Sequence, residues 1–69
     1  MKLSARNKMP GTVTAIEKGA VNATVLIDLG GGTTVTAMIT NASVEELGLE
    51  VGKTAYAIVK ASDVIVGSD

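Results

Sequence analysis

The sequence predicts an all-β domain, a five-stranded Greek-key barrel of the OB type with one short helix between strands 3 and 4. Three observations carry this. Stretches of apolar alternation at a period of two recur along the chain, glycine-rich turns separate them, and the pattern breaks once, at Asn41, into a helical one. The order strand, strand, strand, short helix, strand, strand within 69 residues is that of an OB barrel, with an SH3-like barrel as the alternative topology.

The first strand is expected over residues 11–18, where Val13 and Ala15 alternate with Thr12 and Thr14 before the register slips at Ile16. Gly19-Ala20-Val21 reads as a turn. Residues 22–29 alternate cleanly, with Ala23, Val25, Ile27 and Leu29 on one face. Gly30-Gly31-Gly32 marks a tight hairpin, and residues 33–40 form the third strand, with Val35, Ala37 and Ile39 sharing a face. Ser43-Val44-Glu45-Glu46 has the form of a capping box and predicts a single helical turn ended by Gly48, with Val44 and Leu47 as its apolar face and Leu49 and Val51 extending it. The fourth strand, 54–60, alternates Ala55, Ala57 and Val59 against Tyr56 and Ile58, and the fifth is expected over 63–66.

Composition limits what such a barrel can be. A chain near 60 residues buries only about 60% of its unfolded surface. This one has no Cys and no His, so neither disulfides nor a Cys/His metal site can supplement its core, and Tyr56 is its single aromatic. Association with further copies is the remaining common source of stability. The net charge of −1, from six Lys/Arg and seven Asp/Glu, provides no overall field for nucleic acid or an anionic membrane. No apolar run approaches the ~20 residues of a membrane span, and the N-terminus does not open as a signal peptide, so the expected location is cytoplasmic. One domain spanning 1–69 is expected, without linker or repeat.

Two segments gather chemistry. Ser4-Ala5-Arg6-Asn7 and Lys60-Ala61-Ser62-Asp63 each combine hydroxyls, backbone N–H groups and a positive charge at a strand end. A tetrahedral dianion needs donors converging from several directions, and neutral donors spare the cost of burying unpaired cations. The plain alternative is that Ser4 caps a turn and Lys60 is a solvated charge. Spacing does not say whether the two segments meet within one chain or between chains.

In order and spacing, Ser4-Ala5-Arg6-Asn7, Gly11-x-Val13, Ile39-Thr40, Leu47-Gly48-Leu49, Gly52-Lys53 and Lys60-Ala61-Ser62-Asp63-Val64 resemble the molbindins, small molybdate-binding proteins of one Mop domain within the TOBE/OB-fold group. The resemblance runs over essentially the whole chain. It implies a homohexamer, a trimer of dimers, binding molybdate or tungstate at subunit interfaces with no organic cofactor. Ser4, Ala5, Arg6, Thr40, Lys60, Ala61 and Ser62 are the implied interface site, residues 4–6 of one subunit facing Lys60-Ala61-Ser62 and Thr40 of another, with Ala5 and Ala61 acting only through backbone N–H and Arg6 turning its guanidinium to a carboxylate. A further site on a threefold axis is implied at Lys18, Gly19, Ala20, Val21 and Asn22. The resemblance also implies a free-standing store or buffer of oxyanion, since relatives that sense molybdenum carry DNA-binding or ATPase segments.

Other functions fit less well. A single-stranded nucleic-acid module would need stacking aromatics along a basic groove. An enzyme would have to rest on Ser62 activated by Lys60, and adjacency in sequence does not make that geometry. The Gly30-Gly31-Gly32 run lacks the Lys-Ser/Thr of a phosphate loop.

Overall fold

The structure, a computed structural model, describes residues 1–69. Its elements are β1 (Asn7–Lys18), β2 (Asn22–Gly30), β3 (Thr33–Thr40), α1 (Asn41–Leu47), β4 (Thr54–Val59) and a 3-10 turn at Ala61–Asp63. The strands form one antiparallel sheet in the order β3-β2-β1-β4. β1 divides its length between two neighbours. Asn7 to Thr12 pair with β4, and Thr12 to Lys18 pair with β2, so the sheet curls around the strand they share.

β1 begins four residues earlier than expected. Pro10 lacks an N–H, which argues against a central strand, but this half of β1 has a partner on one side only, where a missing donor is tolerated. The slip of register at Ile16 is a β-bulge. Val13 faces Ile27 and Ala15 faces Leu26, leaving Thr14 without an opposite number and returning Ile16 to the inner side. The glycine run does turn the β2–β3 hairpin: Gly31 and Gly32 have φ of 63° and 87°, the positive values a two-residue type I′ turn demands at both central positions.

The helix starts two residues before the expected capping box. Thr40, the last residue of β3, is the N-cap, and its Oγ1 accepts from the Ser43 N–H at 3.0 Å. Thr40 is already extended (φ −70°, ψ 153°), so the strand runs into the helix with no intervening loop and the first available hydroxyl takes the cap. Gly48 ends the helix in the left-handed conformation, as expected. Val44 does plug the curl, at 3% exposed. Leu47 and Val51 do not extend that face and are 69% and 64% exposed; Leu49 alone packs against the core.

The fifth strand is the main departure. After β4 the 3-10 turn closes with Asp63 N–H to Lys60 O at 2.9 Å, and Val64, Ile65 and Val66 pair with no strand of the same chain. The core is correspondingly thin: Val13, Ala23, Val25, Ile27, Val44, Ala55 and Ala57 are the 7 buried residues of 69, and none is larger than Ile. No helix is long and apolar enough to cross a membrane.

Two ion pairs flank the helix, Lys18 Nζ to Glu45 Oε1 at 2.6 Å and Lys53 Nζ to Glu50 Oε2 at 2.7 Å. Hydrogen bonding and charge attraction from these lysines hold both carboxyls below their ordinary value of 4.5. The unfolded chain therefore binds more protons in acid, and the contribution is present above pH ~4.5 and lost as pH falls through the folded-state values. Both pairs are solvent-exposed, so the effect is small and salt-sensitive. Chemical denaturation between about pH 6 and pH 3 should show stability falling with pH, and the E45Q/E50Q variant should show a shallower fall.

Gly11 lies where β1 crosses β2 most closely. A Cβ there would sit 2.6 Å from the Asp28 carbonyl oxygen and 2.6 Å from Ile27 Cγ2. Gly11→Ala is expected to destabilise by about 1–3 kcal/mol, read as a lowered thermal midpoint, because backbone rather than a flexible side chain must yield.

Candidate functional site

The β1–β4 ladder decides where the two chemistry-bearing segments lie. Asn7 pairs with Val59, so continuing each strand by one residue brings Arg6 beside Lys60. Asn7 reinforces the junction by donating from Nδ2 to the Val59 carbonyl at 3.1 Å. The tetrad and the Lys-Ala-Ser segment thus meet within a single chain, at the β1 N-terminal end of the sheet.

What they present is almost entirely donors. The N–H groups of Ala5 and Arg6, just outside β1, have no backbone acceptor, and those of Ala61 and Ser62 are free because they open the 3-10 turn. Ser4, Arg6, Lys60, Ala61 and Ser62 are exposed and Ala5 is half-buried. The Lys60 ammonium pairs with no carboxylate of the same chain, and neither does the Arg6 guanidinium. The expected carboxylate partner for Arg6 is therefore not supplied by its own chain. Four backbone N–H groups, two hydroxyls and two cations converge on one edge, an arrangement whose unmet need is negative charge.

Thr40 is not among them. It pairs with Asn22 at the start of β2, next to Ala23, which pairs with Lys18, so it sits at the far end of β1 from Asn7. Its hydroxyl is engaged in the helix cap, accepting from Ser43 N–H and donating to Ser43 Oγ at 2.8 Å. Within one chain it cannot complete the cluster of Ser4 and Lys60.

The first hairpin lies at this same far end. Lys18 closes β1 and Asn22 opens β2, with Gly19, Ala20 and Val21 between them. Gly19 N–H donates to Asn22 O at 2.7 Å, while the N–H groups of Ala20 and Val21 have no backbone acceptor. Lys18 is held by Glu45, so its charge is partly answered by the helix.

Asn7 and Asn41 were not singled out by sequence reasoning. Asn7 stands in the quoted tetrad, but its role is legible only from the strand register. Asn41 follows Thr40 and donates from its backbone N–H to Val21 O at 2.8 Å and from Nδ2 to Gly19 O at 2.9 Å. Its neighbours in sequence give no hint of that reach.

Comparison with known proteins identifies the family. The model of the TOBE domain matches residues 3–66. A probable molybdenum-pterin-binding protein of Haemophilus influenzae is 57% identical over 67 residues, covering 97% of both chains. The solved structure of a molybdate-binding protein from Sporomusa ovata superposes with a TM-score of 0.91 at 43% identity, covering 99% of this chain and 100% of that one. The cytoplasmic molybdate-binding protein ModG, solved with molybdate bound, gives a TM-score of 0.89 at 55% identity over 94% of this chain and 46% of its own. With an all-β OB-like fold shared along nearly its whole length and the donor-rich chain ends in place, the chain belongs to the TOBE domain family and, within it, to the molbindins.

Proposed function

We propose that the protein binds molybdate or tungstate at subunit interfaces of a homohexamer, a trimer of dimers, and so stores or buffers the oxyanion in the cytoplasm without catalysing a reaction. The observation that carries this reading is the donor-rich edge where residues 4–6 and 60–62 lie side by side. Its relatives' ligands are molybdenum species, and the edge offers a tetrahedral dianion N–H, hydroxyl and ammonium groups from several directions. It contains no aromatic ring on which a pterin would stack; Tyr56 instead lies 5.7 Å from the Lys8 ammonium. Ser4, Ala5, Arg6, Lys60, Ala61 and Ser62 form one part of the interface site, and Thr40 of another subunit supplies the remainder by exchanging its bond to Ser43 for one to the ligand. Lys18, Gly19, Ala20, Val21 and Asn22 form a second class of site, around the threefold axis. Neither class involves nucleic acid, a membrane or an organic cofactor.

The fold supports the assembly. β3 and β4 are the sheet's two edges and are not bonded to each other. Between them opens a groove of about 650 Å³, lined by Val35, Ala37 and Ile39 on one side and by Ala55, Ala57 and Val59 on the other. The same chain carries an unpaired, β-prone Val64-Ile65-Val66, with Ile65 95% exposed. In this proposal the fifth strand of each barrel is the tail of a second copy, which fills the groove and offers its main-chain groups to an edge strand.

Calorimetric titration with molybdate, tungstate and sulfate tests the ligand. Binding of the first two with similar affinity and strong rejection of the smaller sulfate is expected, and equal affinity for sulfate would refute the site. Lys60→Ala should weaken the interface sites by about 10- to 100-fold, the loss of a charged hydrogen bond worth ~1.5–3 kcal/mol, with the assembly mass unchanged. Native mass spectrometry tests the tail: because alternate residues face opposite ways, either I65D or V64D/V66D should reduce the assembly to smaller species, and an unchanged mass in both would exclude tail exchange.

A further inference from the structure

We propose that Asn41 is the positioning residue of the hairpin site: it holds the Gly19-Ala20-Val21 turn in a form that leaves two N–H groups free and ties up two of the three carbonyl oxygens. This rests on the reading above that the hairpin takes an oxyanion. An ordinary turn presents donors and acceptors together and is close to neutral toward an anion, because each carbonyl dipole opposes the N–H beside it. Here two of the turn's three carbonyls are occupied by one residue. Val21 O accepts from the Asn41 backbone N–H at 2.8 Å, and Gly19 O accepts from Asn41 Nδ2 at 2.9 Å. The Gly19 N–H is turned inward to Asn22 O. The N–H groups of Ala20 and Val21, on exposed residues, have no backbone acceptor, and of the turn's carbonyls only that of Ala20 is left without a donor.

The orientation of the amide follows from this. Reversing it would set Oδ1 against the Gly19 carbonyl, acceptor against acceptor. As placed, Oδ1 is buried and has no hydrogen-bond partner. Asn41 therefore gains nothing from its acceptor end, and its donor end is the part the structure uses. It also follows Thr40 directly, so the residue that shapes the hairpin site is joined by one peptide bond to a residue of the interface site.

The test uses the full-length assembly and molybdate. Native mass spectrometry and calorimetry first resolve two classes of site in the wild-type protein, the hairpin class being the one that Lys60→Ala leaves intact. Asn41→Leu keeps the volume and removes the amide; Asn41→Asp keeps the shape and removes the donor. Both are expected to weaken the hairpin class by about tenfold or more, while the interface class and the melting temperature of the ligand-free assembly stay as in wild type. Asn41→Asp also adds a charge and Asn41→Leu does not, so agreement between them isolates the lost donor. Unchanged hairpin binding in both variants would overturn the proposal. Loss of both classes together with a lowered ligand-free melting temperature would also overturn it, making Asn41 a structural clamp. A wild-type protein with only one class of site would remove the hairpin site itself, an outcome seen before any variant is made.

Discussion

The antiparallel register between β1 and β4 is the constraint from which the rest follows. It joins residues 52 positions apart in sequence through the Asn7–Val59 pair and its side-chain bond. Were the register shifted by one residue, Ala55 and Ala57 would leave the interior, and Lys60 would no longer lie beside Arg6. Core and candidate site are therefore fixed by the same ladder. The candidate site is built from the segments that flank the β1–β4 pair, so the ladder fixes where both of them leave the sheet.

Small side chains explain both the thin core and the need for partners. Alanine at 23, 55 and 57 lets β2, β1 and β4 curl tightly, yet leaves little apolar volume to stabilise the curl. The missing volume corresponds to the open groove between β3 and β4. A ligand held between subunits stabilises the assembled form by mass action, so oxyanion binding and subunit association reinforce each other in the proposed function. The charge distribution suits this economy, since most donors at the site are neutral and need no counter-charge when the ligand is absent.

Much of this was legible in the amino-acid sequence. β2 and β3 were readable because β2 has a buried face and β3 a half-buried one, each opposite a more exposed face, so the period-two pattern survives; Gly31, Gly32 and Gly48 stand where positive φ is required. The first half of β1 was not readable, because Lys8 and Pro10 lie on the exposed face of the sheet and carry no hydrophobic signal. The helix start was misplaced because Thr40 and Ser43 are both good caps, and only the path of β3 selects between them. The fifth strand has a clear strand signature in Val64-Ile65-Val66, but a local pattern reports a tendency to pair and does not name the partner. At the candidate site, resemblance pointed to segments 4–6 and 60–62, whereas Asn7 and Asn41 act through bonds to carbonyls 52 and 22 residues away, and nothing local encodes such a reach.

The bulge at Thr14 has a consequence for how this chain can vary. β1 is paired to β4 from Asn7 to Thr12 and to β2 from Thr12 to Lys18, and the bulge interrupts the second ladder between Val13 and Ala15. Thr14 is the extra residue that lets Val13 and Ile16, three apart, share the inner side; inserting one more residue would send one half of the strand's apolar set outward, whereas removing it would leave a regular strand with both still inward. Insertions should thus be poorly tolerated in mid-strand and easily absorbed at the Gly31–Gly32 tip, where an added side chain would meet nothing within 4 Å: the molecule works as a fixed ruler between its two ends, with slack at the loop that measures nothing.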